Sequence, residues 1–155
     1  MKDISEHITF RDATRSEVAI KNGIENIPDE FQVKNMEELA EAIYEPLIKH
    51  FNCKIYISSF FRSIKLNEKI SGSSKVSQHC AIKGAAFDLD VFGNITNKQI
   101  FEFIRLNLEF DQLIYEFGTD ENPDWVHISF NRGFNRKEVK RSFRTKDGIV
   151  YKLVA

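Results

Sequence analysis

Two short stretches of the chain carry residue types that bind metal ions. The first, residues 77–90, puts His79 and Asp88 on a loop that runs into an apolar strand. The second, residues 123–130, places His127 in a short aromatic and β-branched strand. Three nitrogen or oxygen ligands with a fourth position left to water are typical of a catalytic zinc, whereas a structural zinc normally has four ligands and many cysteines. We therefore expect one metal site made by these three side chains.

An acid close to such a metal would complete the chemistry of hydrolysis. It would accept a proton from water, which zinc makes acidic near neutral pH. Asp124, at the start of the second stretch, is the predicted acid. Two alternatives concern the ligands: Asp90 shares a strand face with Asp88 and could replace it, and Cys80 could add a thiolate.

These residues resemble the zinc D-alanyl-D-alanine carboxypeptidases and the related phage peptidoglycan endopeptidases, which share a fold with the hedgehog signalling domain. Their pattern is Ser-x-His-x-x-Gly-x-Ala-x-Asp, followed by Asp-x-x-His. The chain matches this pattern at Ser77, His79, Gly84, Ala86, Asp88, Asp124 and His127. The resemblance implies that zinc binds His79, Asp88 and His127. It also implies that Asp124 is the base and, through the glycine–alanine spacing, that Asp90 is not the carboxylate ligand.

The chain departs from the family pattern between the first histidine and the glycine. The family has two residues there, while this chain has four, residues 80–83, so His79 and Asp88 are nine positions apart rather than seven. The extra residues fall in a predicted loop, where added length costs little free energy. We expect the two ligands to converge in spite of the insertion.

A second resemblance lies in residues 56–63, which are similar to the family's strand that ends in a substrate-facing arginine. Arg62 occupies that place, and a guanidinium group can donate two parallel hydrogen bonds to a terminal carboxylate or a developing oxyanion. We assign Arg62 to catalysis and substrate binding, and Ser77 and Trp125 to substrate binding. Ser77 could instead orient a metal ligand. Glu116 has no motif partner that fixes its role.

The resemblance covers residues 8–130 and implies a zinc peptidase that hydrolyses the peptide bonds of peptidoglycan. Such an enzyme would be a D,D-carboxypeptidase or an endopeptidase, similar to an endolysin and derived from a phage or prophage. Its partner would be the peptidoglycan stem peptide and its cofactor Zn²⁺. The alternative is a non-catalytic, zinc-containing binding or structural module of the same fold.

Length and composition limit the other possibilities. The 155 residues predict a single domain, 1–155, and 14 phenylalanines in a 42% hydrophobic chain predict a substantial core. A net charge of −1 argues against a general nucleic-acid or membrane-surface binder. The polar residues 1–7 and the lack of a long apolar run indicate no signal peptide and no membrane insertion. We expect a monomer made in a cytoplasm that acts on the cell wall after release or as part of a virion.

The pattern of apolar residues predicts an α+β domain with a small, mainly antiparallel sheet and helices packed on one face. Strands are predicted at 54–61, 85–91, 112–117 and 125–130, followed by a hairpin around 146–148. Helices are predicted from Thr14 to about Asn22, at 34–51 with a kink or delayed start at Pro46, at 63–70, and from Thr96. Residues 71–74 are predicted to be a loop. In the metal-binding strands, the polar face is expected to line a cleft.

Overall fold

The structure is a computed structural model, and it describes residues 1–70 and 73–154. Its α-helices are α1 Phe10–Thr14, α2 Glu17–Lys21, α3 Glu30–Leu39, α4 Glu45–Phe51, α5 Ile64–Lys69 and α6 Asn97–Asn107. Its strands are β1 Tyr56–Ser59, β2 Ala85–Asp90, β3 Gln112–Glu116, β4 Trp125–Phe130, β5 Glu138–Thr145 and β6 Gly148–Leu153. No helix of this part of the chain is both long and apolar enough to cross a membrane. Positions 71 and 72 of the predicted loop lie outside the described residues.

The six strands form one sheet in the order β1-β2-β4-β3-β5-β6. Every neighbouring pair is antiparallel except β3 and β5, which run parallel. Strands β2 and β4, which carry the predicted ligands, are therefore adjacent in the interior of the sheet. The predicted α+β class with a mainly antiparallel sheet is confirmed.

One face of the sheet is covered by helices. The fully buried side chains on this face include Phe87, Leu89, Leu113, Val126 and Ile128. They belong to one core cluster with residues of α3, α4 and α6, such as Met36, Leu47 and Ile100. Alternation along each strand then places the intervening, mostly polar side chains on the opposite face, where the predicted ligands lie.

The long helix predicted to begin at residue 34 begins at Glu30 instead. Asp29 caps α3 by accepting a hydrogen bond from the Gln32 N–H, and the Gln32 side chain accepts one from the Asp29 N–H. This capping box follows directly after Pro28. Further along, a π-helical turn, Ala40–Tyr44, precedes the first turn of α4, which contains Pro46. Pro46 therefore does not delay the start of the helix, which begins at Glu30; a π-helical turn instead interrupts the regular α-helix just before the turn that contains the proline.

The N-terminal helix predicted to start at Thr14 starts elsewhere. Ser16 caps α2, since its hydroxyl accepts a hydrogen bond from the Ala19 N–H, and Thr14 is the last residue of α1. Thr9 caps α1 in the same way through the Asp12 N–H. Each helix is five residues long, and Thr14 closes the first rather than opening the second.

Candidate metal centre

Asp88 and His127 face each other on neighbouring strands. The register of β2 and β4 pairs these two residues directly, so their side chains lie on the same face of the sheet. His127 Nδ1 lies 2.9 Å from Asp88 Oδ1. The central strands thus supply two of the three predicted ligands.

His79 reaches the same carboxylate from a loop. It lies in a 3₁₀ turn, Gln78–Cys80, and the Ser77 hydroxyl caps this turn by accepting a hydrogen bond from the His79 N–H at 3.3 Å. His79 Nδ1 is 2.7 Å from the Phe60 carbonyl oxygen, which can only accept, so the ring proton is on Nδ1. The lone pair of Nε2 is left free on the other side of the ring, where Nε2 lies 3.4 Å from Asp88 Oδ1.

The four residues between His79 and Gly84 are held against helix α3. Gln32 Nε2 donates to the Cys80 carbonyl at 2.9 Å, and Asn35 Nδ2 donates to the Ala81 carbonyl at 2.8 Å. Ala81 adopts a left-handed conformation with φ of 55°. The insertion is absorbed in this anchored turn, and His79 and Asp88 converge despite it.

Gly84 forms the junction between this loop and β2. Its φ is +69°, and a Cβ atom there would lie 2.1 Å from the Phe130 carbonyl oxygen. No other residue type permits both this conformation and this close approach to β4. The glycine of the sequence motif therefore has a structural role in placing the loop beside the strand that carries His127.

The three side chains fit a zinc ion. Each offers one ligand atom, and these atoms all lie within 4.8 Å of one another. In a tetrahedral site with zinc–ligand bonds of about 2.0–2.1 Å, neighbouring ligand atoms are about 3.3 Å apart, close to the 2.9 and 3.4 Å found around Asp88 Oδ1. Two imidazoles and one carboxylate are also donors that zinc accepts readily.

The protonation of these groups favours metal binding. Burial lowers the pKa of His79, so its imidazole is neutral at neutral pH, which is the form that binds metal ions. Burial by itself would raise the pKa of Asp88, but the hydrogen bond with His127 outweighs that effect and holds the pKa below its usual range. Asp88 is thus a carboxylate although the residue is only 8% exposed.

The guanidinium group of Arg62 lies near the second carboxylate oxygen of Asp88. Its Nη2 is 3.6 Å from Asp88 Oδ2, and its Nε donates to the Ser59 hydroxyl at 3.1 Å. A cavity of about 680 Å³ along the outer edge of β1 is lined by Ser59 and Arg62 but not by the three predicted ligands. The metal-binding cluster and this cavity therefore meet at Arg62.

Asp124 and Trp125 lie at the start of β4. The Asp124 side chain is 50% exposed, and its Oδ2 is 3.5 Å from Nη1 of Arg144. Trp125 is half-buried and packs edge-on against Phe117, with ring centroids 5.3 Å apart. Their predicted roles, proton transfer for Asp124 and substrate binding for Trp125, stay predictions.

The competing ligands Asp90 and Cys80 are not in the cluster. Asp90 Oδ1 accepts a hydrogen bond from Asn97 Nδ2 at 2.8 Å, at the start of α6. Cys80 is buried, and burial raises the pKa of its thiol, which disfavours the thiolate that metals bind. Among the described residues, the ligand atoms that converge with Asp88 are those of the two histidines.

Glu116 is a functional candidate that the motifs did not single out. It lies at the end of β3, opposite Trp125 in β4, and is only 6% exposed. The alternation in β3 does contain a signal, because Gln112, Ile114 and Glu116 share a face opposite to Leu113 and Tyr115. Ile114 pairs with His127, so this face is the one that carries the predicted metal ligands.

Two histidines and one aspartate form a donor set that is typical of hydrolytic zinc sites. The chain belongs to the peptidase M15 family, whose family model matches residues 6–129. The resemblance drawn from the sequence motifs is thereby confirmed, and the chain is a peptidase of the zinc metallopeptidase class. The matched range ends within β4, before β5 and β6. A comparison with curated proteins found no match.

Proposed function

We propose that the chain is a zinc-dependent peptidase that hydrolyses peptide bonds of peptidoglycan, with His79, Asp88 and His127 as the metal ligands. The observation that carries this proposal is the convergence of the three side chains, with ligand atoms within 4.8 Å of one another, in a member of the peptidase M15 family. Zinc bound there would supply a Lewis acid that polarises a carbonyl group and acidifies water.

Arg62 would bind the substrate next to the reacting bond. Its guanidinium lies where the cavity along β1 meets the metal cluster, and Ser59 and Asp88 fix its orientation. There it would donate hydrogen bonds to a terminal carboxylate or to the carbonyl oxygen as negative charge develops. Trp125 would add apolar contact with the substrate on the other side of the cluster.

Ser77 supports the site from the loop. Because its hydroxyl accepts a hydrogen bond from the backbone N–H of His79, it fixes the turn that carries this ligand. The same hydroxyl can also donate a hydrogen bond to a bound peptide, which is the substrate-binding role predicted from the sequence.

Hydrolysis also requires a carboxylate that takes a proton from water as a base and then returns it to the leaving amine as an acid. Asp124 is the group predicted for this step, and its half-exposed carboxylate is accessible to solvent. Glu116 is a second carboxyl group near the metal-binding face.

The stem peptide of peptidoglycan is the substrate that the sequence resemblance favours. A monomeric enzyme of a phage or prophage, acting in lysis or as part of a virion, would meet this substrate in the cell wall. Cleavage at a terminal D-alanine would define a carboxypeptidase, and cleavage within the peptide or its cross-link would define an endopeptidase.

The test is incubation of the zinc-loaded protein with defined peptidoglycan fragments, both cross-linked and uncross-linked, followed by mass spectrometry. We expect cleavage of one type of peptide bond, lost on chelation and restored by zinc. The His127→Ala variant should not cleave. If a protein that holds about one zinc per chain cleaves none of the fragments, the proposal is wrong and a non-catalytic zinc-containing module becomes the better interpretation.

A further inference from the structure

Asn97 is a buried asparagine at the start of α6, between the end of β2 and the segment that precedes β4. It follows the capping residue Thr96 and is only 3% exposed. Its Oδ1 accepts a hydrogen bond from the Val91 N–H at 2.9 Å, and its Nδ2 donates to Asp90 Oδ1 at 2.8 Å. Because a backbone N–H group can only donate, the contact with Val91 fixes which end of the amide carries the oxygen. One side of Asn97 is therefore bound to the end of β2.

The other side of Asn97 faces the segment that leads into β4. Its Nδ2 also lies 3.2 Å from the carbonyl oxygen of Pro123 and 3.1 Å from that of Asp124. An amide nitrogen has two protons, so one proton is shared between two of the three oxygens around it. Asn97 thus holds two successive carbonyl groups at the residue predicted to transfer protons.

The backbone of Asp124 is fixed on both sides, although its side chain is half-exposed. Its N–H donates to the Glu116 carbonyl at 2.9 Å, and its own carbonyl accepts from Asn97. Gly118 packs closely against the same segment, because a Cβ atom added there would lie 2.2 Å from the Asn122 carbonyl oxygen. The location of the Asp124 backbone is therefore set by β3 on one side and by Asn97 on the other.

Asp90 connects this arrangement to the candidate metal centre. It lies in β2, two residues after the predicted ligand Asp88, and its carboxylate orients the Asn97 amide. The contacts therefore run from the strand of a predicted ligand, through Asp90 and Asn97, to the backbone of Asp124. Such links matter because a catalytic group has to be held within about 0.5 Å of its productive geometry, and a displacement of about 1 Å can cost about 100-fold in rate.

We propose that Asn97 is a positioning residue that fixes Asp124 relative to the predicted metal ligands, with Asp90 orienting Asn97; this inference rests on the function proposed above. Asn97 exchanges no proton with substrate or water. Its amide holds the carbonyl groups of Pro123 and Asp124, so that the Asp124 carboxylate stays at the start of β4, three residues before His127. Asp90 thereby has a role that does not require it to bind a metal.

The first test compares Asn97→Asp with Asn107→Asp in the zinc-loaded full chain. Asn97→Asp keeps the accepting oxygen but replaces the donating nitrogen with a second oxygen, which repels the two carbonyl groups. We expect kcat to fall by about 10- to 100-fold, with the zinc content and KM little changed. The Asn107 amide, at the other end of α6, donates to the Phe103 carbonyl at 2.9 Å, so this matched control should leave kcat unchanged. An unchanged kcat in Asn97→Asp would overturn the proposal.

The double variant Asp90→Asn, Asn97→Asp separates positioning from folding. In this variant the amide at position 90 donates to the carboxylate at position 97, so the link between β2 and α6 is restored. The carbonyl groups of Pro123 and Asp124 still lack their donor. We expect the free energy of unfolding in urea to recover relative to Asn97→Asp while kcat stays low. Recovery of both quantities would show that Asn97 only joins β2 to α6, and the positioning role would be wrong.

A third test asks whether Asn97 acts through Asp124. In an Asp124→Ala background, Asn97→Asp should lower the residual kcat by less than about twofold, because residues that act as a unit have strongly non-additive effects. An equal loss with and without the Asp124 carboxyl group would contradict the proposal.

A final measurement does not depend on knowing the substrate. Hydrogen exchange of the Asp124 amide reports how firmly its backbone is held. Asn97→Asp should speed up this exchange by about tenfold, as expected for the loss of a buried hydrogen bond. The Arg62 amide, which donates to the His79 carbonyl at 2.9 Å, should exchange as before. Unchanged exchange at Asp124 would overturn the inference, whereas faster exchange in a protein that cleaves no peptide would refute only the proposed peptidase function.

Discussion

At the scale of single residues, Asp88 is the residue that the other side chains of the candidate site all contact. Its carboxylate meets His127 at 2.9 Å, His79 at 3.4 Å and Arg62 at 3.6 Å. An isolated carboxylate would be costly at this degree of burial, but three nitrogen groups surround it. The predicted ligands are therefore already oriented toward a common point, which reduces the reorganisation that metal binding would require.

Arg62 allows a prediction that separates substrate binding from metal binding. The Arg62→Gln variant should lose about 100-fold in kcat/KM toward a cleaved peptide, the usual cost of removing a donor to developing negative charge. It should still hold about one zinc per chain, since Arg62 is not a ligand. Steady-state kinetics and elemental analysis measure the two quantities.

The matched control is Arg15→Gln, because Arg15 lines the same cavity but pairs with Glu17 on an exposed surface. We expect this variant to keep most of the activity. If both variants lose activity equally, the loss comes from a general change in the cavity, and the proposed specific role of Arg62 next to Asp88 is wrong.

The sequence identified His79, Asp88 and His127 because each lies in a motif with several matching positions. It left the role of Glu116 open, because the burial of this carboxyl group depends on packing that local sequence does not reveal. The hydrogen bond from Ser142 crosses 26 positions of the chain. Only the alternation in β3 indicated the correct face.

At the scale of the elements, the loop before β2 and the strand β4 must approach closely for the ligands to meet. Two glutamine side chains help to hold this loop: Gln32 donates to the Cys80 carbonyl, and Gln78 Nε2 donates to Asp111 Oδ2 at 2.9 Å. Asp111 is in turn held by Arg136, with Nε at 2.8 Å from Oδ1. Helix α3, the start of β3 and the segment before β5 therefore all position the turn that carries His79.

Gly84 provides a test of this close approach. Gly84→Ala should destabilise the protein by at least about 2 kcal/mol, because the left-handed φ is unfavourable and the new Cβ would collide with the Phe130 carbonyl. The shift of the loop should also weaken zinc binding. Urea denaturation measures the first effect and competition with a chelator the second.

Gly23→Ala is the matched control. Gly23 has a similar φ of +60°, but a Cβ atom added there would meet no atom of the described residues within 4 Å. This variant should cost only about 1 kcal/mol, the conformational penalty alone. Equal costs for the two variants would show that the contact between the loop and β4 is not tight, and the structural explanation of Gly84 would be wrong.

Secondary structure was predictable where the apolar periodicity was strong and less so at the element ends. The bounds of β4 match the prediction, and the helix predicted from Thr96 is α6, which Thr96 caps through a capping box with Gln99. The predicted starts of two helices were wrong. Ser16 rather than Thr14 caps α2, and α3 starts at a capping box formed by Asp29, directly after a proline. Several nearby residues could satisfy the same free N–H groups, so the sequence alone does not determine which one does.

At the scale of the whole molecule, the strand order explains why distant motifs form one site. Strand β4 lies between β2 and β3, so His127 is flanked by Asp88 on one side and by the strand of Glu116 on the other. The hairpin of β5 and β6 extends the same sheet through the parallel pairing of β3 with β5. That pairing brings Ser142 beside Glu116, and no local feature of the sequence foretold it.

The zinc content of the purified protein tests the central claim most directly. Elemental analysis of protein prepared without chelator should find about one zinc per chain, and the His127→Ala variant should have lost it. This result would establish that the two motifs form a single metal site in spite of the four-residue spacer between His79 and Gly84. Absence of zinc from the unmodified protein, even after reconstitution, would contradict the account, because the three side chains would then not act together as ligands.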